Sequence, residues 1–421
     1  MIILSSILVT LNLFLLSKPS LAVAFQTPLI SLSQLFSLLG TVLLSFSFIL
    51  GSRAPILERW FGSLDKISKT HHLVGGFAFV LLINHPLLLA VNVLPNFPAA
   101  ARYFWLSTDS TYNYGVIALY VMILVLLLTL VIKLPYHFWL KTHDFIGLTL
   151  FFACLHIFFI SSDISRYLPL RIWIFFLLSL GIFSYIYKVF LYRWFGPKYK
   201  YTVKKTKQLG DIFEIYLSPQ FSSLPFRPGQ FAFINFNRPG LTESHPFSFS
   251  SPPGSPLLRF SVKVLGDYTA KLNQLTAGTP ANIWGAYGQM YQHFSDDKDV
   301  VCVGGGIGIT PFLSLIGHEV NHPQPRTIFL FYSAKSQVEA VYHAELSQLA
   351  STLKNFKYFP HFSDTQPRLT VDDIYHAVRS LDDRFFYLCG PKSMMDSLSL
   401  QLKNKGVPSD HIIFEDFTLK A

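Results

Sequence analysis

The chain has few cysteines and few charged residues for its length. Three of its 421 residues are cysteine (Cys154, Cys302 and Cys389), and they stand neither in pairs nor at the spacing of a metal site. This argues against a disulfide framework and against structural zinc. Charged residues make up 14% of the chain and hydrophobic residues 51%, a composition typical of membrane proteins. The net charge of +10 comes from basic residues at the ends of apolar runs, so we expect membrane lipid and no nucleic acid as a partner.

The long apolar runs lie in the first ~190 residues, and the remainder has the composition of a soluble α/β protein. Six membrane spans are predicted, at roughly 1–17, 29–50, 72–92, 114–134, 143–161 and 171–191. Residues 1–24 end in Ser-Leu-Ala-Val-Ala, which also fits a signal-peptidase site, but no positive charge precedes the apolar run. A retained first span is therefore favoured over a cleaved signal peptide.

Basic residues are concentrated in alternate connecting segments. Lys and Arg are frequent in segments 51–70 and 133–142 and in the stretch after the last span. The other connections hold only Lys18, Arg102 and Arg166. By the positive-inside rule, the rich segments and the C-terminal half are cytoplasmic. We therefore expect a multi-pass protein of the plasma membrane whose soluble module lies in the cytoplasm.

Four histidines lie within the apolar stretches, His71 and His85 in one, His143 and His156 in another. Ionisable groups at membrane depth are costly and usually functional. A separation of fourteen residues places the first pair about 21 Å apart along a helix and within ~40° of one face. The second pair, thirteen apart, is ~140° out of register and needs a bulge, a tilt or rotated haem planes.

Neutral imidazole is a good axial ligand for haem iron. The two spans run in the same direction, so His71 and His143 share the inner level and His85 and His156 the outer level. This topology predicts two stacked bis-histidine haems. His72 competes with His71 for the inner site, but the fourteen-residue spacing favours His71. A lone buried histidine is more often a core residue than a ligand, whereas four in matched pairs favour the metal sites.

Short β-rich runs broken by Gly and Pro begin near residue 200 and predict a small antiparallel barrel. In 245–251, which reads His-Pro-Phe-Ser-Phe-Ser-Ser, hydroxyls alternate with aromatic rings, a pattern suited to a planar cofactor such as a flavin and equally to an ordinary edge strand. After the strand 260–265 comes Gly266-Asp-Tyr-Thr269. A glycine turn at a helix start suits a pyrophosphate, and a plain capped helix is the alternative.

The strand 299–303 leads into Gly304-Gly-Gly-Ile-Gly-Ile-Thr-Pro311 and then a helix. Strand, glycine turn and helix form the dinucleotide-binding arrangement, although the last glycine of the usual pattern is missing. The strand 385–389 ends at a second turn, Cys389-Gly-Pro391. Two such strand ends predict a nucleotide crevice at the carboxyl edge of a parallel sheet.

These segments, in this order and spacing, resemble the NADPH oxidase and ferric reductase family in its prokaryotic form. The resemblance covers nearly everything after residue 50 and includes Leu64-Asp-Lys66, His85-Pro86 and Trp139-Leu-Lys-Thr-His143. It implies a membrane all-α six-helix haem bundle (1–195), followed by an antiparallel β-barrel FAD domain (196–297) and an α/β Rossmann-like nucleotide domain (298–421). The implied cofactors are two haems b, FAD and NADPH or NADH.

The resemblance also implies site residues. It assigns His71, His85, His143 and His156 as haem ligands. Around the flavin and its phosphates it places His245, Pro246, Phe247, Ser248, Lys263, Gly266, Asp267, Tyr268 and Thr269. Around the nicotinamide nucleotide it places Gly304, Gly305, Gly306, Ile307, Gly308, Thr310, Pro311, Cys389, Gly390 and Pro391.

The chain departs from the family pattern at two places. The aromatic that shields the flavin would be Phe417, but four residues follow it. The strand end that distinguishes NADPH from NADH offers Ser333 and Lys335 for a 2′-phosphate and lacks the usual arginine. The implied activity is export of electrons to oxygen, giving superoxide; a ferric or other metal reductase and an electron-relay subunit for a protein partner are the alternatives. No acidic calcium loop or Pro-rich tail is present, so no obligatory regulatory subunit is expected.

Overall fold

The computed structural model describes residues 1–132, 134, 136–192, 196, 198–294 and 296–415. These residues form two compact units. The helical unit contains Met1–Leu57 and Lys66–Phe195, and the mixed unit contains Glu58–Asp65 and Gly196–Lys420. The short segment Glu58–Asp65 therefore belongs with the soluble half of the chain, although it lies in sequence between two apolar helices.

The N-terminal part of the chain is helical throughout. Its helices are α1 (Ile2–Leu16), α2 (Leu21–Gln26), α3 (Pro28–Gly51), α4 (Glu58–Phe61), α5 (Leu64–Val93), α6 (Phe97–Ala101), α7 (Ser110–Leu126), α8 (Tyr136–Asp144), α9 (Ile146–Phe159), α10 (Asp163–Arg166) and α11 (Leu168–Ile186). Two of them continue into π-helical turns, α7 into Leu127–Val131 and α11 into Tyr187–Leu191.

Among the described residues, five helices are long and apolar enough to cross a membrane. They cover Pro28–Gly51, Leu64–Val93, Ser110–Val131, Lys141–Phe159 and Leu168–Leu191. The first apolar run forms a helix of only 15 residues, shorter than the ~20 residues that a span usually needs. Five of the six predicted spans are thus present as membrane-length helices, and the sixth stays a prediction.

The segment that carries His143 and His156 is interrupted between them. Helix α8 ends at Asp144 and α9 begins at Ile146. At the junction Phe145 N donates to Thr142 O (3.2 Å) and Leu148 N donates to Phe145 O (3.0 Å), which are the short-range bonds of a 3₁₀ turn. This break changes the helical register between the two histidines, as their thirteen-residue separation requires.

The first sheet of the mixed unit is antiparallel. Its strands are β1 (Lys198–Leu209), β2 (Ile212–Pro219), β3 (Phe231–Phe236), β4 (His245–Ser248), β5 (Leu258–Lys263) and β6 (Pro280–Tyr287). They are ordered β4-β3-β6-β1-β2-β5. A bridge between Phe249 and Phe260 joins the two ends, so the sheet curls into the predicted barrel around a core that includes Phe249, Phe260 and Ile283. The short helix α12 (Asp267–Ala270) follows β5.

The second sheet is parallel and is covered by helices on both faces. Its strands are β7 (Val300–Gly305), β8 (Ile328–Ala334), β9 (Phe356–Phe362), β10 (Phe385–Cys389) and β11 (Ile412–Phe414), in the order β11-β10-β7-β8-β9. The helices are α13 (Thr310–Asn321), α14 (His343–Thr352), α15 (Val371–Val378) and α16 (Lys392–Asn404). Successive residues of β7 enter opposite cores, Cys302 with α13 and Val303 with α16.

The strand order reverses direction beside β7, because β8 lies on one side of it and β10 on the other. In open α/β sheets, ligands bind at the carboxyl ends of the strands at such a switch point. The predicted glycine turns follow these two strands, β7 and β10, so the topology places both at that position.

Candidate functional site

The inner histidine pair of the helical unit has the spacing that a shared metal ion requires. The ring centroids of His71 on α5 and His143 on α8 are 6.1 Å apart, with the ring planes at 80°. Metal–imidazole bonds of about 2 Å on either side of one ion would separate two ring centroids by roughly 6 Å. His72, the alternative to His71, is exposed, and its ring centroid lies 5.7 Å from that of His71.

Three of the four histidines are held by the same ring nitrogen. The Nδ1 atoms of His71, His85 and His156 lie 2.9, 3.0 and 2.8 Å from the backbone carbonyl oxygens of Ser47, Ser33 and Thr111, respectively. A carbonyl oxygen only accepts, so each Nδ1 carries the proton and each neutral ring keeps its Nε2 lone pair. Metal-ligating histidines are commonly oriented by this type of bond.

The fourth histidine is held differently. His143 stacks on Trp139 of the same helix, with the ring planes at 1° and the centroids 5.6 Å apart. Its Nδ1 is buried and has no hydrogen-bond partner among the described residues. The inner pair therefore contains one anchored imidazole and one that is oriented by packing.

The outer pair is His85 on α5 and His156 on α9, whose Nδ1 atoms are bonded to the carbonyl oxygens of Ser33 on α3 and Thr111 on α7, respectively. Gly115 of α7 faces the second ring, and a Cβ added there would lie 3.1 Å from His156 Nδ1. A side chain at position 115 would therefore push the imidazole out of place. The two bonded Nδ1 atoms at the outer level, and the ring spacing of 6.1 Å with one bonded Nδ1 at the inner level, fit haem.

In the mixed unit, the predicted flavin residues form one cluster. His245, Pro246, Phe247 and Ser248 make up β4, and the His245 ring lies 3.7 Å from the ring of Tyr268 on α12. His245 Nε2 and the Tyr268 hydroxyl are buried without hydrogen-bond partners in the described structure. Burial lowers the pKa of His245 and raises that of Tyr268. An aromatic surface with two polar atoms that lack hydrogen bonds fits a polar planar ring such as that of a flavin, and the Glu243 carboxylate lies beside it, 3.6 Å from His245 Nε2.

The turn expected at the flavin phosphates is held by hydrogen bonds between its own residues. Gly266 is the N-cap of α12, whose residues include Asp267 and Thr269. The Thr269 hydroxyl accepts bonds from Leu265 N (2.9 Å) and Gly266 N (3.0 Å). Lys263 forms an ion pair with Asp211 at 2.9 Å, so its charge is already partly compensated.

The two predicted nucleotide turns touch each other. Gly304 and Gly305 end β7, the 3₁₀ turn Gly306–Ile309 follows, and Thr310 and Pro311 open α13. A Cβ added at Gly308 would overlap the backbone of Cys389, the last residue of β10. Gly390 and Pro391 lead from there into α16. The resulting bare backbone at the carboxyl edge of the sheet fits the close approach of a dinucleotide.

The other predicted nucleotide residues lie at the end of β8. Ser333 is within the strand and Lys335 follows it, exposed, with its carbonyl oxygen accepting from Asp364 N at 2.9 Å. Burial raises the pKa of the Cys389 and Cys302 thiols, so both remain protonated and neither acts as a nucleophile at neutral pH. Phe417 lies outside the described residues, and its shielding role stays a prediction.

Sequence reasoning missed a group of buried or half-buried carboxyls in the mixed unit. Glu58 Oε1 accepts from Gly288 N (3.1 Å) and its carbonyl oxygen accepts from Gln289 Nε2 (2.5 Å). Glu415, only 4% exposed, accepts from Gln289 N. Burial raises the pKa of Glu58 to about 7 and that of Glu415 to about 8. The two glutamates are 357 positions apart in the chain, so no local pattern could have paired them.

Sequence reasoning also missed Ser33, Ser47 and Thr111, which hold three of the histidines. A signal was present for the two serines, because Ser33 and Ser47 are fourteen residues apart on α3, as His71 and His85 are on α5. Reading it would have required knowing that the two helices are neighbours.

Comparison with known proteins finds three family matches along the chain. Residues 36–154 match the ferric reductase like transmembrane component, residues 197–303 an FAD-binding domain, and residues 302–399 the oxidoreductase NAD-binding domain. The three matches follow one another in the order that the sequence analysis predicts. Together they cover the described mixed unit except for its two ends.

The curated relatives match about half of the chain. The reductase component of propane 2-monooxygenase from Mycolicibacterium smegmatis is 27% identical over 224 residues, 49% of this chain and 64% of that protein. A flavohemoprotein from Oceanobacillus iheyensis is 26% identical over 245 residues, 53% of this chain and 60% of that protein. The chain thus spans less than two thirds of the length of these relatives.

Among solved structures, a flavohemoglobin from Malassezia yamatoensis with bound FAD and heme is similar with a TM-score of 0.51 and 18% identity, over 94% of this chain and 97% of that one. At this identity the likeness concerns the fold alone. The three family matches show a ferric reductase-like transmembrane domain followed by an FAD-binding domain and an NAD-binding domain in one chain.

Proposed function

We propose that this protein transfers electrons from NAD(P)H through FAD and two bis-histidine haems to an acceptor across the membrane, with oxygen as the favoured acceptor and superoxide as the product. The observation that carries the proposal is the pair of histidine levels in the helical unit, where three Nδ1 atoms are bonded to carbonyl oxygens and the inner rings are 6.1 Å apart. Such rings present Nε2 to a metal.

When bound, FAD would supply the conversion between two-electron and one-electron chemistry, and haem iron would supply single-electron transfer. The chain's own residues bind and orient. Gly308 and Cys389 leave bare backbone for the nicotinamide nucleotide, and the β4 residues with Tyr268 provide an aromatic surface for the flavin ring. Among the described residues that line these places, none forms a nucleophile–base pair, and the reaction needs none.

Oxygen is favoured over a ferric chelate because the acidic residues of the predicted outer face are already engaged. Asp163 is 10% exposed in its side chain and pairs with Lys18 (2.5 Å) and Arg166 (3.1 Å). Asp109 caps α7 by accepting from Thr111 N at 3.0 Å. A site for ferric iron would offer free oxygen ligands, whereas a small neutral acceptor needs none.

The basic connecting segments support an orientation with the mixed unit in the cytoplasm and the outer pair, His85 and His156, towards the opposite face of the plasma membrane. The alternative of a relay subunit would use the aromatic connection 93–113. In that segment Arg102 packs over the rings of Tyr103 (5.0 Å) and Tyr112 (4.7 Å), so these rings already have a partner. We propose a protein that is active without a regulatory subunit.

The test is an anaerobic absorbance spectrum of the purified, FAD-supplemented protein before and after NADPH, followed by air and superoxide detection. Two reduced haems per chain and superoxide on reoxidation are expected. Haem reduction without superoxide would indicate that the acceptor is a metal or a protein and not oxygen. A protein that binds no haem would overturn the proposal. If the purified protein shows no NADPH-dependent activity until another subunit is added, the proposal that it is active without a regulatory subunit is refuted.

The ligand assignment has a matched pair of variants. His85→Ala should leave one haem per chain, abolish electron export and preserve NADPH-dependent reduction of FAD. His72→Ala, a change of the same kind in the same helix at an exposed position, should retain both haems. Two haems in the His85→Ala variant would refute the assignment.

A further inference from the structure

The two histidines of α5 are held by the same residue type at the same spacing on α3. Ser47 contacts His71 and Ser33 contacts His85, each through its carbonyl oxygen and its side chain. The serines are fourteen residues apart in one direction and the histidines fourteen apart in the other. The helices are therefore antiparallel neighbours whose contacts repeat after the same rise of about 21 Å.

At the outer level, the serine side chain has two contacts with one histidine. Ser33 Oγ donates to the carbonyl oxygen of His85 (2.8 Å) and lies 2.7 Å from His85 Nδ1. Because the hydroxyl proton is used in the bond to the His85 carbonyl oxygen, Ser33 Oγ can only accept from His85 Nδ1–H. The same Nδ1–H is also shared with the Ser33 carbonyl oxygen, which lies 3.0 Å from Nδ1. Ser33 is fully buried, so water does not compete for this bond.

At the inner level, the contact is looser. Ser47 Oγ lies 3.2 Å from His71 Nδ1 and the Ser47 carbonyl oxygen lies 2.9 Å from it. Gly75, one turn after His71, keeps room for the serine, because a Cβ at Gly75 would lie 3.3 Å from Ser47 Oγ. Between the two levels, Gly40 of α3 closely faces Leu82 of α5, a further point of close approach between the two helices.

We propose that Ser33 and Ser47 are positioning residues that fix the ring orientation and donor strength of the two histidines on α5, with the larger effect at Ser33. This inference rests on the proposed function, because it concerns the histidines as haem ligands. A bond accepted from Nδ1–H makes the imidazole a stronger donor, and a stronger donor favours the ferric state. Removing the hydroxyl should therefore favour the ferrous state and raise the midpoint potential.

The experiment is a redox titration of the full-length protein, followed by absorbance and by electron paramagnetic resonance of the ferric haems. The His85→Ala variant identifies which of the two redox components belongs to the outer haem. Ser33→Ala should shift the outer component alone. We expect a threefold to tenfold change in the ferric-to-ferrous ratio, which corresponds to about 28 to 59 mV for one electron, together with a changed resonance of the outer haem.

Ser47→Ala should shift the inner component by less. Ser33→Thr, which retains a hydroxyl, should stay near the wild-type potential. The matched control is Ser45→Ala, because Ser45 is fully buried in the same helix and donates only to the Thr41 carbonyl oxygen, at 2.9 Å. It should move neither component.

Three results would each overturn the positioning role. The first is an equal shift of the midpoint potential in Ser33→Ala and Ser45→Ala, and the second is a shift of both redox components in Ser33→Ala. The third is a shift in Ser33→Thr as large as that in Ser33→Ala. The Ser47 variant tests the idea independently if Ser33→Ala does not fold. Fewer than two haems in the wild-type protein would refute the proposed function before any variant is compared, whereas two haems with unmoved potentials would refute only the role of the serines.

Discussion

The half-buried Glu58 and the buried Glu415 should make the mixed unit less stable as the pH rises. Their pKa values in the folded protein are about 7 and about 8, against an ordinary value of 4.5, because burial disfavours the charged form. The folded state thus holds protons that the unfolded chain has released. Stability is fully present below pH 4.5 and is lost progressively as the pH rises through 7 and 8.

The size of the loss in stability can be worked out from Glu415, the more buried of the two glutamates. Each unit of pKa difference corresponds to about 1.36 kcal/mol, so Glu415 alone would cost on the order of 5 kcal/mol once it is ionised. For a unit of this size, 1 kcal/mol shifts the melting temperature by about 2–4 °C. This loss in stability accrues between pH 4.5 and pH 8, so about 2.7 kcal/mol of it falls above pH 6. We therefore expect the melting temperature to fall by roughly 5–10 °C between pH 6 and pH 9.

The assay is thermal unfolding of the FAD-loaded protein in detergent, followed by release of flavin fluorescence at several pH values. Glu415→Gln keeps the shape and the oxygen that accepts from Gln289 N but cannot ionise. It should flatten the pH profile and unfold at a higher temperature than the wild type at pH 8.5. Glu339→Gln, at an exposed position, is the control and should follow the wild type.

A wild-type melting temperature that is constant or increases between pH 6 and pH 9 would refute the reasoning. So would a Glu415→Gln variant that remains as sensitive to pH as the wild type. Either result would mean that the two carboxyls are neutralised by a cation or are hydrated in solution.

Three further changes test the sites directly. Gly308→Ala should weaken NADPH binding at least tenfold, measured by titration of flavin reduction, because its Cβ would overlap the Cys389 backbone, and haem content should not change. Gly115→Ala should displace His156, whose Nδ1 would lie 3.1 Å from the new Cβ, and lower the haem-to-protein ratio towards one; unchanged haem content and spectrum would contradict this. Lys335→Ala should reduce the preference for NADPH over NADH in steady-state kinetics, and equal effects on both nucleotides would exclude a role at the 2′-phosphate.

The architecture of the mixed unit was largely predictable, because it depends on local patterns. Turn residues between β-rich runs predicted the barrel, and the glycine run 304–308 after an apolar strand predicted a nucleotide turn. Both signals are short in sequence, and both are found where expected at β1–β6 and β7. The first apolar run shows the limit of this approach, because composition alone predicts a span at 1–17 although its helix has only 15 residues.

The residues that complete the sites were not predictable in the same way. Glu58 meets Gln289 and Glu415 only after the chain has folded. The partners of the histidines are backbone carbonyl oxygens of Ser33, Ser47 and Thr111, and every residue type has such a carbonyl. Sequence identifies the group that needs an acceptor, but only the packing of the helices determines which residue supplies it.

The four histidines, equivalent in sequence, become unequal in the structure. Both rings of the outer pair have Nδ1 bonded to a carbonyl oxygen, whereas the inner pair has one such bond and one buried Nδ1 without a partner in the described structure. An unsatisfied buried polar atom costs about 1–3 kcal/mol. The structure therefore holds both outer imidazoles by a carbonyl bond and only one of the inner pair, whereas His143 is oriented by its stacking on Trp139.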